Sequence, residues 1–123
     1  MHEFKVRLLS DEQRPNVSIK LREWGYEYPL ERYRWDSVLL EIGDQVSYTW
    51  FEKLTPTSFS VHMCVDPKFR GRVLTPTTIK KIISAAELLG ANYLYIITQR
   101  KKVNRFAARI GFKKVRVGMQ LKI

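Results

Sequence analysis

Residues 58–65 (SFSVHMCV) form the pattern that most restricts how this 123-residue chain can fold. Apolar residues alternate there with small or polar ones, which predicts a strand with two different faces. After a basic turn, Thr75-Pro76 predicts a helix start, with threonine as the N-cap and proline in the first turn. Residues 91–98 (ANYLYIIT) then predict a buried strand. A helix between two such strands predicts a crossover in an α/β sheet.

The rest of the chain predicts further short elements around this unit. In chain order these are a strand at 4–8, a helix at 11–23, strands at 37–42 and 45–51, a basic helix at 102–110, and strands at 113–117 and 119–123. Gly43-Asp44 predicts a two-residue hairpin turn, and residues 53–57 predict a loop. Residues 24–35 predict an ordered loop or a short helix. We expect one domain over residues 1–123.

Composition narrows the class of protein. The content of 45% hydrophobic and 12% aromatic residues predicts a folded globule. No apolar run approaches the roughly 20 residues that a membrane span needs, and no signal peptide is evident, so we expect a cytoplasmic protein without a membrane association. Cys64 is the single cysteine, and His2 and His62 are the two histidines. We therefore expect neither an internal disulfide nor a metal site.

The charge of the chain is concentrated in its second half. Residues 1–65 carry 8 Lys and Arg against 10 Asp and Glu, whereas residues 66–123 carry 14 against 2. This excess favours an anionic partner, which from charge alone is a nucleic acid, an acidic protein or a polyanionic cofactor. A basic surface that only aids solubility stays open as an alternative.

Residues 65–81 (VDPKFRGRVLTPTTIKK) place a cationic turn between the predicted strand and helix. A helix start presents backbone N–H groups and the positive end of the helix dipole, and both favour a phosphate. Gly71 permits close approach of the backbone, and Lys68, Arg70 and Arg72 supply positive charge. The alternative is a structural turn with solvated charges.

Residues 58–98, continued by NRFAARIGFKKV, resemble the core of the Gcn5-related N-acetyltransferases (GNAT), and the compressed N-terminal half is similar to that of the small bacteriophage members. The resemblance implies a mixed, mostly antiparallel central sheet of six to seven strands, flanked by three to four helices. It also implies acetyl-coenzyme A (acetyl-CoA) as cofactor and transfer of the acetyl group to an amine acceptor that the sequence does not name. The residues that it implies for cofactor binding are Met63, Cys64, Val65, Arg70, Gly71, Arg72, Val73, Leu74 and Thr75.

Two departures from the family pattern concern the cofactor loop, and two concern catalysis. Val73 and Thr75 stand where the family has loop glycines, which weakens binding or gives the loop another shape. The strand before the loop has no acidic residue to act as a base, and His62 is the substitute, because the ordinary pKa of histidine suits a base near neutrality. Packing is the alternative role for His62. Ala107 stands where the family has the tyrosine that acts as general acid and protonates the leaving thiolate.

These departures leave a second function open. A non-catalytic protein with the same fold, such as a phage component or a host-directed factor, would use the basic half to hold nucleic acid or an acidic partner. The cations concerned are Arg100, Lys101, Lys102, Arg105, Arg109, Lys113 and Lys114. A solvated helix face is the plain alternative.

Overall fold

The computed structural model describes residues 4–26, 37–98, 100–116 and 118–123. Seven strands form one sheet in the order β1-β2-β3-β4-β5-β7-β6. The strands are β1 (Val6–Leu8), β2 (Ser37–Ile42), β3 (Ser47–Thr55), β4 (Ser58–Val65), β5 (Tyr93–Ile96), β6 (Lys113–Val115) and β7 (Gly118–Lys122). The helices are α1 (Arg14–Glu23), α2 (Pro76–Leu88) and α3 (Lys101–Arg109), with short 3₁₀ turns at Asp11–Gln13 and Pro67–Phe69.

The sheet is antiparallel except at its centre. Strands β4 and β5 are parallel neighbours, while all other neighbouring pairs are antiparallel. Parallel neighbours need a crossover connection, and α2 provides it. The predicted mixed, mostly antiparallel sheet with flanking helices is therefore confirmed.

The hairpin between β2 and β3 differs from the prediction. Ile42 pairs with Ser47, so the turn contains the four residues 43–46 rather than two. Gly43 and Gln45 both have positive φ, so the chain turns over all four residues, and Val46 packs into the core with 7% exposure. At its other end β3 continues to Thr55, through residues predicted as a loop.

The sheet has a hydrophobic core on each face. One core joins sheet residues such as Phe51 and Phe59 to Ile82 and Ala86 of α2 and to Ala107 of α3. The other core joins side chains of the opposite sheet face to α1, and its members are Leu9, Val17, Leu21, Leu39, Tyr48, Trp50 and Cys64. Both faces are therefore covered by helices, which explains why Ser60 and Cys64 on the small polar face of β4 are buried.

The helix starts follow from local sequence. Thr75 caps α2, since its Oγ1 accepts a hydrogen bond from the Thr78 N–H at 3.2 Å, and Pro76 occupies the first turn. Pro15 lies in the first turn of α1, directly after the 3₁₀ turn. Most of residues 24–35, predicted as an ordered loop or short helix, lies outside the described residues. Within the described ranges, no helix is long and apolar enough to cross a membrane.

Candidate active site at the strand opening

The central parallel pair opens at one end. Strands β4 and β5 pair only from Ser58 opposite Tyr93 to Ser60 opposite Tyr95. Beyond that point β4 stays paired with β3 as far as Val65, and β5 stays paired with β7 as far as Ile96. The two halves of the sheet therefore diverge, and the second half of β4 forms an inner edge in the middle of the sheet.

Backbone groups of alternate β4 residues point into this opening. The Asp66 N–H donates to the Val46 carbonyl at 2.9 Å, so Asp66 is a hydrogen-bonded position of the β3–β4 pair. Counting back along β4, every second residue has its backbone groups bonded to β3. Antiparallel pairing alternates, so the N–H and C=O groups of Met63 and Val65 face away from β3 and into the opening. The Cys64 carbonyl accepts a hydrogen bond from Ser47 Oγ at 2.8 Å on the β3 side. Cys64, which the family resemblance implies as a cofactor contact, therefore presents its backbone groups to β3 and not to the opening.

The opening leads into a cleft with a volume of about 440 Å³ that reaches both faces of the sheet. Apolar side chains of β4, α2, β5 and α3 form most of its wall. On the face covered by α1, Trp50, His62 and Tyr26 contribute to the lining, and on the other face Arg70, Gly71 and Leu74 do so. The cleft thus connects the cationic loop predicted from the sequence with the predicted base.

The loop before α2 is open at its glycine. Gly71 has a φ of +82°, and a Cβ at this position would meet no atom within 4 Å. In the described part of the chain, the N–H groups of Gly71, Val73 and Leu74 donate to no protein acceptor. Positive φ and free N–H groups next to Arg70 form a site that suits an anion.

The two residues that replace family glycines adopt ordinary backbone conformations. Among the described residues, Gln45 is the non-glycine residue with positive φ, so neither Val73 nor Thr75 carries that strain. The Val73 side chain is 2% exposed and belongs to the core against α2. Thr75 is the N-cap of α2. The Val73 side chain is thus a core contact rather than a cleft wall, and the exposed Arg72 does not line the cleft either.

His62 lies in a small polar cluster on the α1 face. Its Nε2 is 2.8 Å from Ser60 Oγ and 3.2 Å from Glu52 Oε2, and its ring stacks on Trp50 with centroids 5.3 Å apart. A carboxylate accepts but does not donate, so the hydrogen of the neutral ring belongs on Nε2. Nδ1 then carries the lone pair, and within the described residues it has no protein partner. His62 is therefore fixed in a form that can accept a proton at Nδ1.

Glu52 is a candidate functional residue that the sequence pattern does not reveal. The strand before the loop carries no carboxylate, and Glu52 lies on the neighbouring strand β3. The strand register places Glu52 opposite Ser60 and Trp50 opposite His62, so these side chains share one face. The register of the β3–β4 hairpin brings the Glu52 carboxylate to His62. The sequence alone did not predict this register.

The cluster is not a catalytic triad. A triad needs the histidine to contact its nucleophile and its carboxylate through different ring nitrogens, whereas both contacts here involve Nε2. Ser60 is also 3% exposed. Cys64 is buried, and burial raises the pKa of its thiol to about 12, so the reactive thiolate is suppressed. In the described ranges, no group of three or more His, Cys, Asp or Glu side chains is placed to hold a metal ion.

Burial of Cys64 predicts a stability change at alkaline pH. The pKa of the thiol is raised from 9.0 to about 12 in the folded chain, so above pH 9 the unfolded chain releases a proton that the folded chain keeps. The free energy of unfolding then falls as pH rises, by up to about 1.4 kcal/mol per pH unit from this group. We expect the melting temperature between pH 9 and 11 to fall more steeply with pH for the wild type than for Cys64→Ala. Parallel slopes would contradict the prediction.

The position of the family tyrosine offers no proton donor. Ala107 is fully buried in the core. Tyr26 lines the cleft, and Tyr95 accepts a hydrogen bond from Gln120 Nε2 at 2.7 Å. Tyr28 and Tyr33 lie outside the described residues. Among the described tyrosines, Tyr26 is the one that lines the cleft.

Comparison with solved structures identifies the architecture. The GNAT domain of PAT from S. lividans superposes with a TM-score of 0.76 at 14% sequence identity, covering 98% of this chain and 90% of that one. The chain has the GNAT fold. A spermidine N-acetyltransferase SpeG chimera from Vibrio cholerae and hSSAT gives a TM-score of 0.73 at 13% identity, covering 98% of this chain and 96% of that one.

A third structure with the GNAT fold contains a bound cofactor. YncA, a putative acetyltransferase from Salmonella typhimurium solved with acetyl-CoA, gives a TM-score of 0.69 at 14% identity, covering 98% of this chain and 94% of that one. No family model and no curated protein sequence matches the chain. The likeness therefore lies in the backbone arrangement.

Proposed function

We propose that the protein is an acetyl-CoA-dependent N-acetyltransferase that acts on a primary amine. The observation that carries the proposal is the cleft at the opened strands, because it joins an anion-binding loop on one face of the sheet to a fixed histidine on the other. This arrangement suits transfer from a bound thioester to an amine, because a cofactor held by the loop and an amine beside a general base can meet at the opening. The acetyltransferases that share the GNAT fold support this function.

The residues of the cleft fit acetyl-CoA. Met63 and Val65 offer N–H and C=O groups to an extended, amide-containing arm, as an added strand would pair with a sheet edge. The open loop at Gly71, with Arg70 beside it, suits a diphosphate. Val73 and Leu74 contribute through their N–H groups. The cofactor would supply the acetyl group as a thioester.

His62 would prepare the acceptor. An alkyl amine is mostly protonated near neutral pH and must lose a proton before it attacks. His62 Nδ1 accepts that proton, and the Glu52 carboxylate stabilises the imidazolium that forms, because it accepts the hydrogen bond from Nε2. Stacking on Trp50 fixes the plane of the ring. Tyr26, which lines the same cleft, would donate a proton to the leaving thiolate.

Calorimetric titration with acetyl-CoA tests the cofactor site. We expect saturable binding and a rise in melting temperature. When the free cofactor is 100 times its Kd, binding should add about 2.7 kcal/mol to the free energy of unfolding. Arg70→Ala should weaken binding by about tenfold, because it removes a charge-assisted contact to phosphate. Arg116→Ala removes the same charge from an exposed turn that does not line the cleft, and should leave binding unchanged. No heat and no shift in melting at millimolar cofactor would refute the proposal.

A steady-state assay of thiol release with a panel of amines tests the chemistry. Release that depends on the amine supports acetyl transfer. Tight cofactor binding without release for any amine of the panel would instead favour the non-catalytic protein with the same fold. The bacteriophage source, the cytoplasmic location and the single domain over residues 1–123 stay predictions from the sequence.

A further inference from the structure

The outer face of α3 is strongly basic. Its exposed cations Lys101, Arg105 and Arg109 are spaced four residues apart, and with the exposed Lys102 they fall within an arc of about 100° on the helix. Lys114 of the edge strand β6 pairs with Met119, a core residue of the α3 side, so it lies on the same side of the sheet. We call these five residues the basic face.

Two cations that the sequence groups with this cluster lie elsewhere. Arg100 lines the cleft and belongs with the candidate active site. Lys113 pairs with Gln120, whose side chain donates to Tyr95 on the opposite sheet face. The basic face is therefore a surface of its own, and the acetyl-transfer site does not account for it.

The charges of the basic face act against the stability of α3. Like charges four residues apart on a helix repel each other, and cations in the first turn oppose the helix dipole. The first turn of α3 has no acidic residue. In the described part of the chain, none of the five cations forms an ion pair. Arg109 in the last turn is favourable to the helix dipole, but the cations of the first turn and the like-charged pairs cost the helix stability, and an anionic partner gives them a physical reason.

The composition of the face distinguishes between anionic partners. The exposed residues of α3 are the four cations and Ala108, while Val103, Phe106 and Ile110 turn inward. A protein interface needs apolar or aromatic anchors at its centre, and single-stranded nucleic acid needs exposed aromatic rings for stacking. The face offers neither feature. Phosphates of a duplex need only an array of cations.

We propose that the basic face binds the phosphate backbone of a nucleic-acid duplex without regard to sequence. The four cations of α3 extend over about 12 Å of helix, so they can contact several phosphates of one strand. The face has none of the Asn and Gln that read adenine, and its Lys and Arg can contact guanine but need only phosphates to bind. Binding should therefore depend on salt more than on sequence. This proposal does not rest on acetyl transfer.

Fluorescence anisotropy with labelled 20-base-pair duplexes, of DNA and of RNA, tests the proposal over a range of salt concentrations. With five phosphate contacts we expect log K to fall with log salt at a slope of about −4.5. The triple variant Lys101→Gln, Arg105→Gln, Arg109→Gln should bind at least about tenfold more weakly at low salt, with a slope shallower by about three. Two duplexes of unrelated sequence should bind equally.

A matched variant controls for net charge. Lys5→Gln, Lys20→Gln, Lys122→Gln removes three positive charges outside the basic face and should lose less than about threefold in affinity. Equal losses for the two triple variants would overturn the proposal. So would tighter binding to a single strand, or equally effective competition by polyglutamate of the same total charge. Because the α3 charges repel each other, the α3 variant should melt at the same temperature as the wild type or higher, which separates lost binding from unfolding.

Discussion

Replacing His62 with glutamine is expected to lower the rate of acetyl transfer by about 10² to 10⁴-fold at neutral pH, the usual contribution of a general base. Glutamine keeps the size and part of the hydrogen bonding of the side chain, but it cannot accept a proton. The cofactor affinity should stay unchanged, because the proposed cofactor contacts are backbone groups of Met63 and Val65 and the loop before α2, and the His62 side chain lies on the α1 face instead. Steady-state kinetics combined with calorimetry separates the two effects.

Two neighbouring variants make the role of His62 specific. Glu52→Gln keeps a neutral acceptor near Nε2 but removes the charge that stabilises the imidazolium, so we expect a fall of about tenfold in rate. Ser60→Ala should change the rate by less than about threefold, because Ser60 belongs to no proton relay. Wild-type rates for His62→Gln in a folded protein would exclude His62 as the base.

Val73→Gly, which restores the glycine of the family pattern, is expected to destabilise the protein by about 3 kcal/mol and lower its melting temperature by about 10 °C. The variant removes a side chain that is 2% exposed in the core, and it adds backbone entropy to the unfolded chain. Cofactor affinity should not improve, because φ of Val73 is already negative. Chemical and thermal denaturation measure the stability, and calorimetry measures the affinity.

Val73→Ala separates the two contributions. It removes most of the same core contact without the entropy of glycine, so it should account for roughly two thirds of the loss. If Val73→Gly instead retains full stability and binds acetyl-CoA more tightly, then Val73 is not a core residue but a substitution that weakens cofactor binding.

The strand, helix and strand from residue 58 to residue 96 were predictable because their signals are local. Alternation along β4, the Thr75-Pro76 start of α2 and the β-forming residues of β5, two tyrosines and an isoleucine among them, each depend on neighbouring residues only. The hairpin turn at residues 43–46 was not predictable, because Gly43-Asp44 also suits a two-residue turn. The longer turn places Val46 in the core, and burial is a property of the assembled core that neighbouring residues do not reveal.

The candidate site divides in the same way. The sequence by itself determined the β4–loop–α2–β5 order, Gly71 beside Arg70, and His62 on the small polar face of its strand. The tertiary structure decided that Glu52 meets His62, since they come from different strands and only the register joins them. It also decided that Val73 packs inward while Gly71 alone takes the positive φ in the loop. Local sequence determines which backbone conformations are low in free energy, but only long-range packing determines which side chains come into contact.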